Sequence, residues 1–431
     1  MLTKVDKARY KWLYLIIALY AVSGMLLGDI STVPAGLKTI FFNNALLITD
    51  YVGLVGYSAA FLNSAITAFF SVLLMNMAKM PVNGKVIFVT GLMAGFAFFG
   101  KNFYTMWFIL PGTYLLSKIR RERISKYLAT GLLADSLGPI IACCYLWHGG
   151  LYAPDYILAL GVGIIIGFAA PLIAEHTAVV LKGLSLYNVG CTVGFVAVAV
   201  VSVLSQCGVS FVAEGTWYTG RPIHVIIYLY VCAVIFIVAG ILWDKENAWK
   251  NYINILKKSG NASQDFLALD GTGAVLVNMG FNIVVCTTYV ILVGGDFNGG
   301  TLGGMVTILG FSAQGKHTAN ILPIIFGVFI GAVVNPSASP ITPGIQMAAF
   351  LGTTLAPMSG TYGPVAGIIT GMAHSFIILK IGTVYSGANL YNNGFGGAVV
   401  MTALYPVFRA LFKENTYAEP SESMVQIAEE D

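Results

Sequence analysis

Four phrases of this chain occur twice, in the same order and at similar spacing. "GLSLYNVGCTVGF" starts at Gly183 and "GANLYNNGFGGAV" at Gly387. "GFAFFGKN" from Gly95 matches "GFSAQGKH" from Gly310, 215 residues on. "LADSLGPI" from Leu133 matches "LGTTLAPM" from Leu351, and "DYVG" from Asp50 echoes "DGTG" from Asp270. An ordered series of this kind means one ancestral unit copied in tandem. The first copy is expected over 1–206 and the second over 221–412, joined by an extracytoplasmic linker, 207–220. A disordered, acidic cytoplasmic tail is expected over 413–431.

Only 10% of the residues are charged and 57% are hydrophobic. Soluble domains carry roughly 25% charged residues, so this chain cannot cover a soluble surface. Apolar stretches near the ~20 residues that cross a bilayer recur along it, as in Trp12–Leu27, Val55–Met75, Tyr156–Ala174 and Val225–Trp243. The fold class is therefore all-α and polytopic, dissolved in a lipid bilayer. The apolar run near the N-terminus is long for a signal peptide and has no small-residue cleavage site, so it reads as the first span. Five of the six cysteines sit in apolar runs, all but Cys207. No spacing suggests a metal site, and no cofactor is expected.

Lys and Arg collect in cytoplasmic loops. The N-terminal segment has Lys4, Lys7, Arg9 and Lys11, and "SKIRRERISK" from Ser117 is the most basic loop. Its counterpart in the second copy, "NPSASPITP" from Asn335, has no charge. The reverse holds after the first helix of each copy, where neutral "DISTVPAGLK" is matched by "DKENAWKNYINILKK". The positive signal switches sides, so the two copies are expected to have inverted topology. Spans are placed at 11–29, 51–78, 127–147, 155–174 and 178–206. The apolar stretch 86–117, interrupted at Gly100-Lys101-Asn102, has arms of about 15 residues, or roughly 22 Å of helix. That is short of the ~30 Å core, so a re-entrant hairpin is expected, repeated around Gly315-Lys316-His317. Each repeat then has about five crossings plus one hairpin, both termini lie inside, and seven crossings would preserve the inversion.

Inverted repeats often hold a solute near the midplane, on interrupted helices. The expected breaks are Gly100, Gly190, Gly315, Gly394, Pro139 and Pro357. Tyr187, Asn188, Tyr391, Asn392 and Asn393 bring aromatic walls and polar tips to two of them. Kinks without ligand contact are the plainer reading. Ionisable groups deep in a membrane are costly and are functional candidates by default. Lys101 and Lys316 occupy equivalent places and are expected to bind an anion, with Asn102 and His317 orienting it. Snorkelling, or pairing of Lys101 with Asp135, is the structural counter-reading. Asp135, matched by Thr353 and Thr354, is a candidate for proton coupling or an ion pair. Asp50 and Asp270 read best as helix N-caps. His176, aligned with Lys380, reads as interfacial; Gln314 and His374 are candidate cavity residues, with a satisfied interhelical hydrogen bond the default reading for each. There is no G-x-S-x-G, H-E-x-x-H or Walker lysine loop, so the chain is not expected to be an enzyme.

With Leu-Tyr-Asn-x-Gly and Gly-Phe-x-x-x-Gly-Lys in both halves, the chain resembles a bacterial membrane-protein family of unknown function with two copies per polypeptide. It has a fainter resemblance to urea transporters, which are inverted proteins with re-entrant pore helices. "LPGTYLL" at Leu110 and "LPIIFGV" at Leu322 depart from that family's signature, and a neutral solute needs no membrane lysine. The leading expectation is a transporter in the bacterial cytoplasmic membrane, moving a small anionic solute by alternating access. A passive channel for a small neutral solute is the runner-up, and a membrane enzyme or sensor the third. The expected partners are the solute, the lipid bilayer and further copies of the chain, and not nucleic acid.

Overall fold

The computed structural model describes residues 2–47, 49–213 and 215–414. The expected tail lies mostly outside the described residues. Among those described, regular structure is helical, apart from two isolated bridges, Thr49 with Thr216 and Asp265 with Gln314.

The first repeat consists of α1 (Lys4–Met25), α2 (Val33–Phe41), α3 (Tyr51–Met77), α4 (Gly84–Phe96), α5 (Met106–Arg120), α6 (Leu128–Ala134), α7 (Gly138–Tyr145), α8 (Ala153–Leu181) and α9 (Asn188–Gln206). The second consists of α10 (Ile223–Trp243), α11 (Ala248–Ile255), α12 (Phe266–Leu269), α13 (Gly271–Val293), α14 (Gly299–Phe311), α15 (Thr318–Val334), α16 (Pro343–Leu351), α17 (Ala356–Tyr362), α18 (Pro364–Ile381) and α19 (Asn392–Leu411). Apart from α12, each helix has a counterpart in the other repeat. Among the described residues, eight helical segments are long and apolar enough to cross a membrane. α1 adds a ninth with α2, the two bent by 109°. This is a polytopic membrane protein.

Two details of the expected spans change. α8 does not end near Ala174 but runs 29 residues to Leu181. The break therefore falls at 182–187, where Lys182 and Gly183 have φ of 50° and 70°. Gly190 and Gly394 are consequently not helix breaks; each lies within the first turn of α9 or α19. Their role is close approach. A Cβ on Gly190 would lie 2.7 Å from the Gly394 Cα, and one on Gly394 would lie 2.9 Å from the Gly190 Cα. Pro139 and Pro357 each stand in the first turn of a helix that follows a short 3-10 turn, where the missing N–H is not needed.

The arms of each expected hairpin do not pack on each other. α4 lies against α14, and α5 against α8. α4 and α14 are counterparts and run antiparallel: Gly91 touches Gly310, while Gly95 touches Thr307 and Gly303. α1 and α10 do the same. Trp12 packs on Trp243 at 6.0 Å between centroids, and Ser23 Oγ lies 3.1 Å from the Tyr228 hydroxyl.

Polar caps tie the repeats together. The Asp50 side chain accepts from Val52 N–H, capping α3. It also accepts from Gly299 N–H at 2.8 Å, the first residue of α14 in the other repeat. Asp265 caps α4 reciprocally, accepting from Gly84 N–H at 2.9 Å. Asp265, 215 residues from Asp50, is thus the true counterpart. Asp270 makes no side-chain cap to α13 and instead pairs with Lys258, which corrects the expected match.

Candidate functional site

The site begins where α4 and α14 stop. After Phe96 the chain turns through Gly100, whose φ of +139° favours glycine. Lys101 N–H then donates back to the Phe96 carbonyl at 3.0 Å. Gly315, with φ +94°, does the same, and Lys316 N–H reaches the Phe311 carbonyl at 3.0 Å. Gly100 and Gly315 are real breaks. Carbonyls freed in an apolar interior need donors. Asn63 on α3 supplies its amide to the carbonyls of Ala97 and Lys101 at 2.7 and 2.9 Å. Asn278 on α13 serves Ser312 and Lys316 at 2.9 and 2.8 Å. Asn63→Ala and Asn278→Ala each leave two buried carbonyls unpaired. Each is expected to cost about 1–3 kcal/mol, read as a lower melting temperature of the purified protein in detergent.

Both lysine side chains are fully buried. Each meets the tyrosine of the opposite repeat. Lys101 Nζ lies 4.7 Å from the Tyr391 ring centroid, and Lys316 Nζ lies 4.5 Å from that of Tyr187. Desolvated cation–π contacts of this kind contribute about 2 kcal/mol. Lys316 also donates to the Tyr187 hydroxyl at 2.8 Å. Lys101 instead reaches the Leu132 and Leu133 carbonyls at 3.4 Å and Met93 Sδ at 3.1 Å.

The same exchange fixes the tyrosines. Leu186 N–H donates to the Thr354 carbonyl at 2.9 Å, and Leu390 N–H to the Ser136 carbonyl at 3.0 Å. Tyr187 N–H also donates to Thr354 Oγ1 at 2.9 Å. Thr354 is therefore a positioning residue. Thr353 bonds the Phe350 carbonyl within its own helix and takes no part. Asn188 Nδ2 donates to the Ala174 carbonyl at 3.2 Å, and Asn392 Nδ2 to the equivalent Ile378 carbonyl at 3.4 Å. Each asparagine holds the end of the preceding long helix.

A cavity of about 340 Å³ opens on one face of the protein. Exposed Lys85, Lys126 and Glu175 lie at its mouth. Tyr187, Tyr391, Asn188, Gly190 and Gln314 line it, with Phe88 and Phe311. Its lining omits Lys101, Lys316, Asn102, His317, Asn392 and Asn393. The lysines sit behind the tyrosine rings. Asn102 and His317 are not oriented toward a solute: Asn102 Oδ1 accepts from Tyr104 and Thr105 N–H, opening α5, and His317 bonds the Lys258 carbonyl at 2.9 Å. Asn392 accepts from Tyr385, and Asn393 bonds His374 at 3.0 Å. His374 thus makes the interhelical hydrogen bond of its default reading, and the cavity lining does not include it. His176 and Lys380 are exposed.

Asp135 is fully buried and accepts from Thr105 Oγ1 at 2.8 Å. It makes no ion pair with Lys101: the ion pairs among the described residues are Lys126–Glu122, His148–Asp155 and Lys258–Asp270. No group of His, Cys, Asp and Glu able to hold a metal occurs among the described residues.

Asn63, Asn278 and Asp265 escaped the sequence reading. The 215-residue offset of the lysines carries Asn63 onto Asn278 and Asp50 onto Asp265, so the signal was present.

These features define a multi-pass helical membrane protein built from two copies of one unit, with a shared buried polar centre. The chain belongs to the family described as protein of unknown function DUF1576, which matches twice, over residues 30–206 and 244–410. No curated protein and no solved structure matches the chain.

Proposed function

We propose that the protein is a secondary transporter for a small anionic solute, working by alternating access. The observation that carries this reading is the swapped pairing at the cavity floor, where each buried lysine is covered by the tyrosine of the other repeat. A solute anion arriving at Tyr187 displaces the phenol from Lys316 and takes its place on the ammonium. The two halves are coupled there, because moving either repeat uncovers the lysine of the other.

The one-sided cavity supports the same reading. Gln314 and Phe88 line it, whereas their counterparts Phe99 and Gly303 pack together on the other side. The linker is tied to both repeats, with Tyr218 N–H donating to Asp50 at 2.7 Å and Gly220 N–H to Asp296 at 2.9 Å. The antiparallel pairing of α1 with α10 and of α4 with α14 supports inverted topology. Two helices that both cross a bilayer in opposite senses are exchanged by an axis lying in its plane. Lys85, in the first turn of α4, and Lys126, after α5, share the cavity mouth. That supports a re-entrant course for α4–α5, and by the positive-inside rule a cytoplasmic opening with the N-terminus inside. A channel for a neutral solute fits less well, because the cavity meets the Tyr187 and Tyr391 rings, each with a buried lysine behind it.

Thermal unfolding of the purified protein with acetate, phosphate, sulfate and small dicarboxylates tests this. At least one anion should raise the melting temperature, since a ligand stabilises the state it binds, and Lys316→Met should abolish the rise. The same anion should exchange across proteoliposome membranes. Stabilisation that persists in Lys101→Met/Lys316→Met overturns the reading.

A further inference from the structure

The two lysine sites differ in one respect. Around Lys316 most polar groups find partners: Thr354 bonds Tyr187, and Asn320 bonds the His317 N–H and the Gly315 carbonyl, leaving Gln314 Oε1 and His317 Nδ1 unmet. Around Lys101 the unmet atoms include a carboxyl oxygen. Tyr51 Oη, Asn102 Nδ2, Asp135 Oδ2 and Ser136 Oγ are all buried and have no hydrogen-bond partner. The Tyr51 hydroxyl faces the Asn102 amide and the Asp135 carboxyl, without a bond of ordinary geometry. Four unpartnered atoms share this chamber; each unmet buried group costs about 1–3 kcal/mol, and Asp135 Oδ2 is the one carboxyl oxygen among the buried unpartnered atoms of the described residues. The second repeat has no such chamber, because Thr353 stands where Asp135 does.

We propose that this chamber is a proton site, with Asp135 as the group that binds and releases the proton. The inference rests on the transport reading for its purpose, as the seat of the coupling ion. The ionised carboxylate takes up one proton to become the neutral acid, and the new O–H donates within the chamber. Release returns the proton and restores the carboxylate. The groups facing Asp135 are Lys101, the Thr105 hydroxyl, and the phenols of Tyr51 and Tyr391. A metal cation fits this set poorly. Asn102 presents its amide N–H₂, its oxygen being used by Tyr104 and Thr105, and the Lys101 ammonium repels a second cation. A proton on Asp135 needs no further ligand, and it alters the charge that faces Lys101. Loading Asp135 is thereby linked to how firmly Lys101 holds its place behind Tyr391.

Infrared pH-difference spectra of the full-length protein in lipid nanodiscs test the site without knowledge of the solute. The wild type should show a titrating carboxylic-acid carbonyl band that Asp135→Asn loses. Lys316→Met should leave the band in place, and Lys101→Met should displace its midpoint, which a merely structural Asp135 would not allow. Exchanging sodium for potassium should change nothing. An unchanged band in Asp135→Asn, or one suppressed by sodium, overturns the proposal. In a second arm, stabilisation by the acetate, phosphate, sulfate and dicarboxylate probes should depend on pH in the wild type and not in Asp135→Asn. Equal pH dependence in both overturns the coupling role. If no probe stabilises either protein, the transport reading fails, while the infrared arm still decides whether Asp135 binds a proton.

Discussion

Gly190→Val should leave no folded protein. α9 and α19 cross at Gly190 and Gly394, and a Cβ on Gly190 would lie 2.7 Å from the Gly394 Cα and 3.1 Å from its carbonyl carbon. Both obstacles are main chain, so no side chain can swing aside. Overpacking a core usually costs about 1–3 kcal/mol because neighbours rearrange; here two helices must separate. That separation would pull Tyr187 and Tyr391 off the lysines, so the loss spreads from the crossing to the centre of the molecule. Small residues at such crossings let backbones approach closely inside membranes. Size-exclusion profiles of fluorescently tagged protein give the readout. Gly161→Ala on α8 is the control, since a Cβ there meets nothing within 4 Å. It should keep a normal profile and gain up to about 1 kcal/mol of helix propensity. A monodisperse Gly190→Val protein would show that the crossing is not the constraint described.

Asp50→Ala should be nearly as damaging, for a different reason. The Asp50 carboxylate accepts from Val52, Tyr218 and Gly299 N–H at 2.8, 2.7 and 2.8 Å, and is fully buried. Alanine leaves three buried donors unmet, at about 1–3 kcal/mol each. Those donors belong to α3, to the linker and to α14, so three segments from both repeats loosen together. Asp50→Asn keeps one acceptor oxygen and should lose less. Asp29→Ala, at an exposed cap, should cost about 1 kcal/mol or less. Melting temperatures in one detergent rank the series; an Asp50→Ala value close to that of Asp29→Ala would contradict this account.

What the sequence made legible follows from physical range. Hydropathy and the tandem phrases are local, so the helical membrane class and the two copies could be read directly. The equivalence of Lys101 with Lys316, and their burial, followed from their setting between glycine and a polar residue in apolar runs. The pairing of Lys101 with Tyr391, and of Lys316 with Tyr187, could not be read. Those partners are brought together only by interlocking of the halves, and no spacing encodes that. Asp50 was matched to Asp270 because "DYVG" and "DGTG" look alike. The constant offset of the lysines pointed to Asp265, whose neighbours differ. The tyrosine–asparagine–glycine phrase looked like a break, but its glycine serves close packing. Sequence alone does not separate those two uses, since both need a missing Cβ.

The swapped contacts also bear on why both copies are carried in one polypeptide. A pair assembled from two identical chains would be bound to strict symmetry, with the same residue at every matching place. Joined end to end, the copies are free to diverge. One has Asp135 where the other has Thr353, and Gln314 lines the cavity where its counterpart Phe99 packs against Gly303. Fusion thus allows two halves of one fold to carry different side chains where they meet.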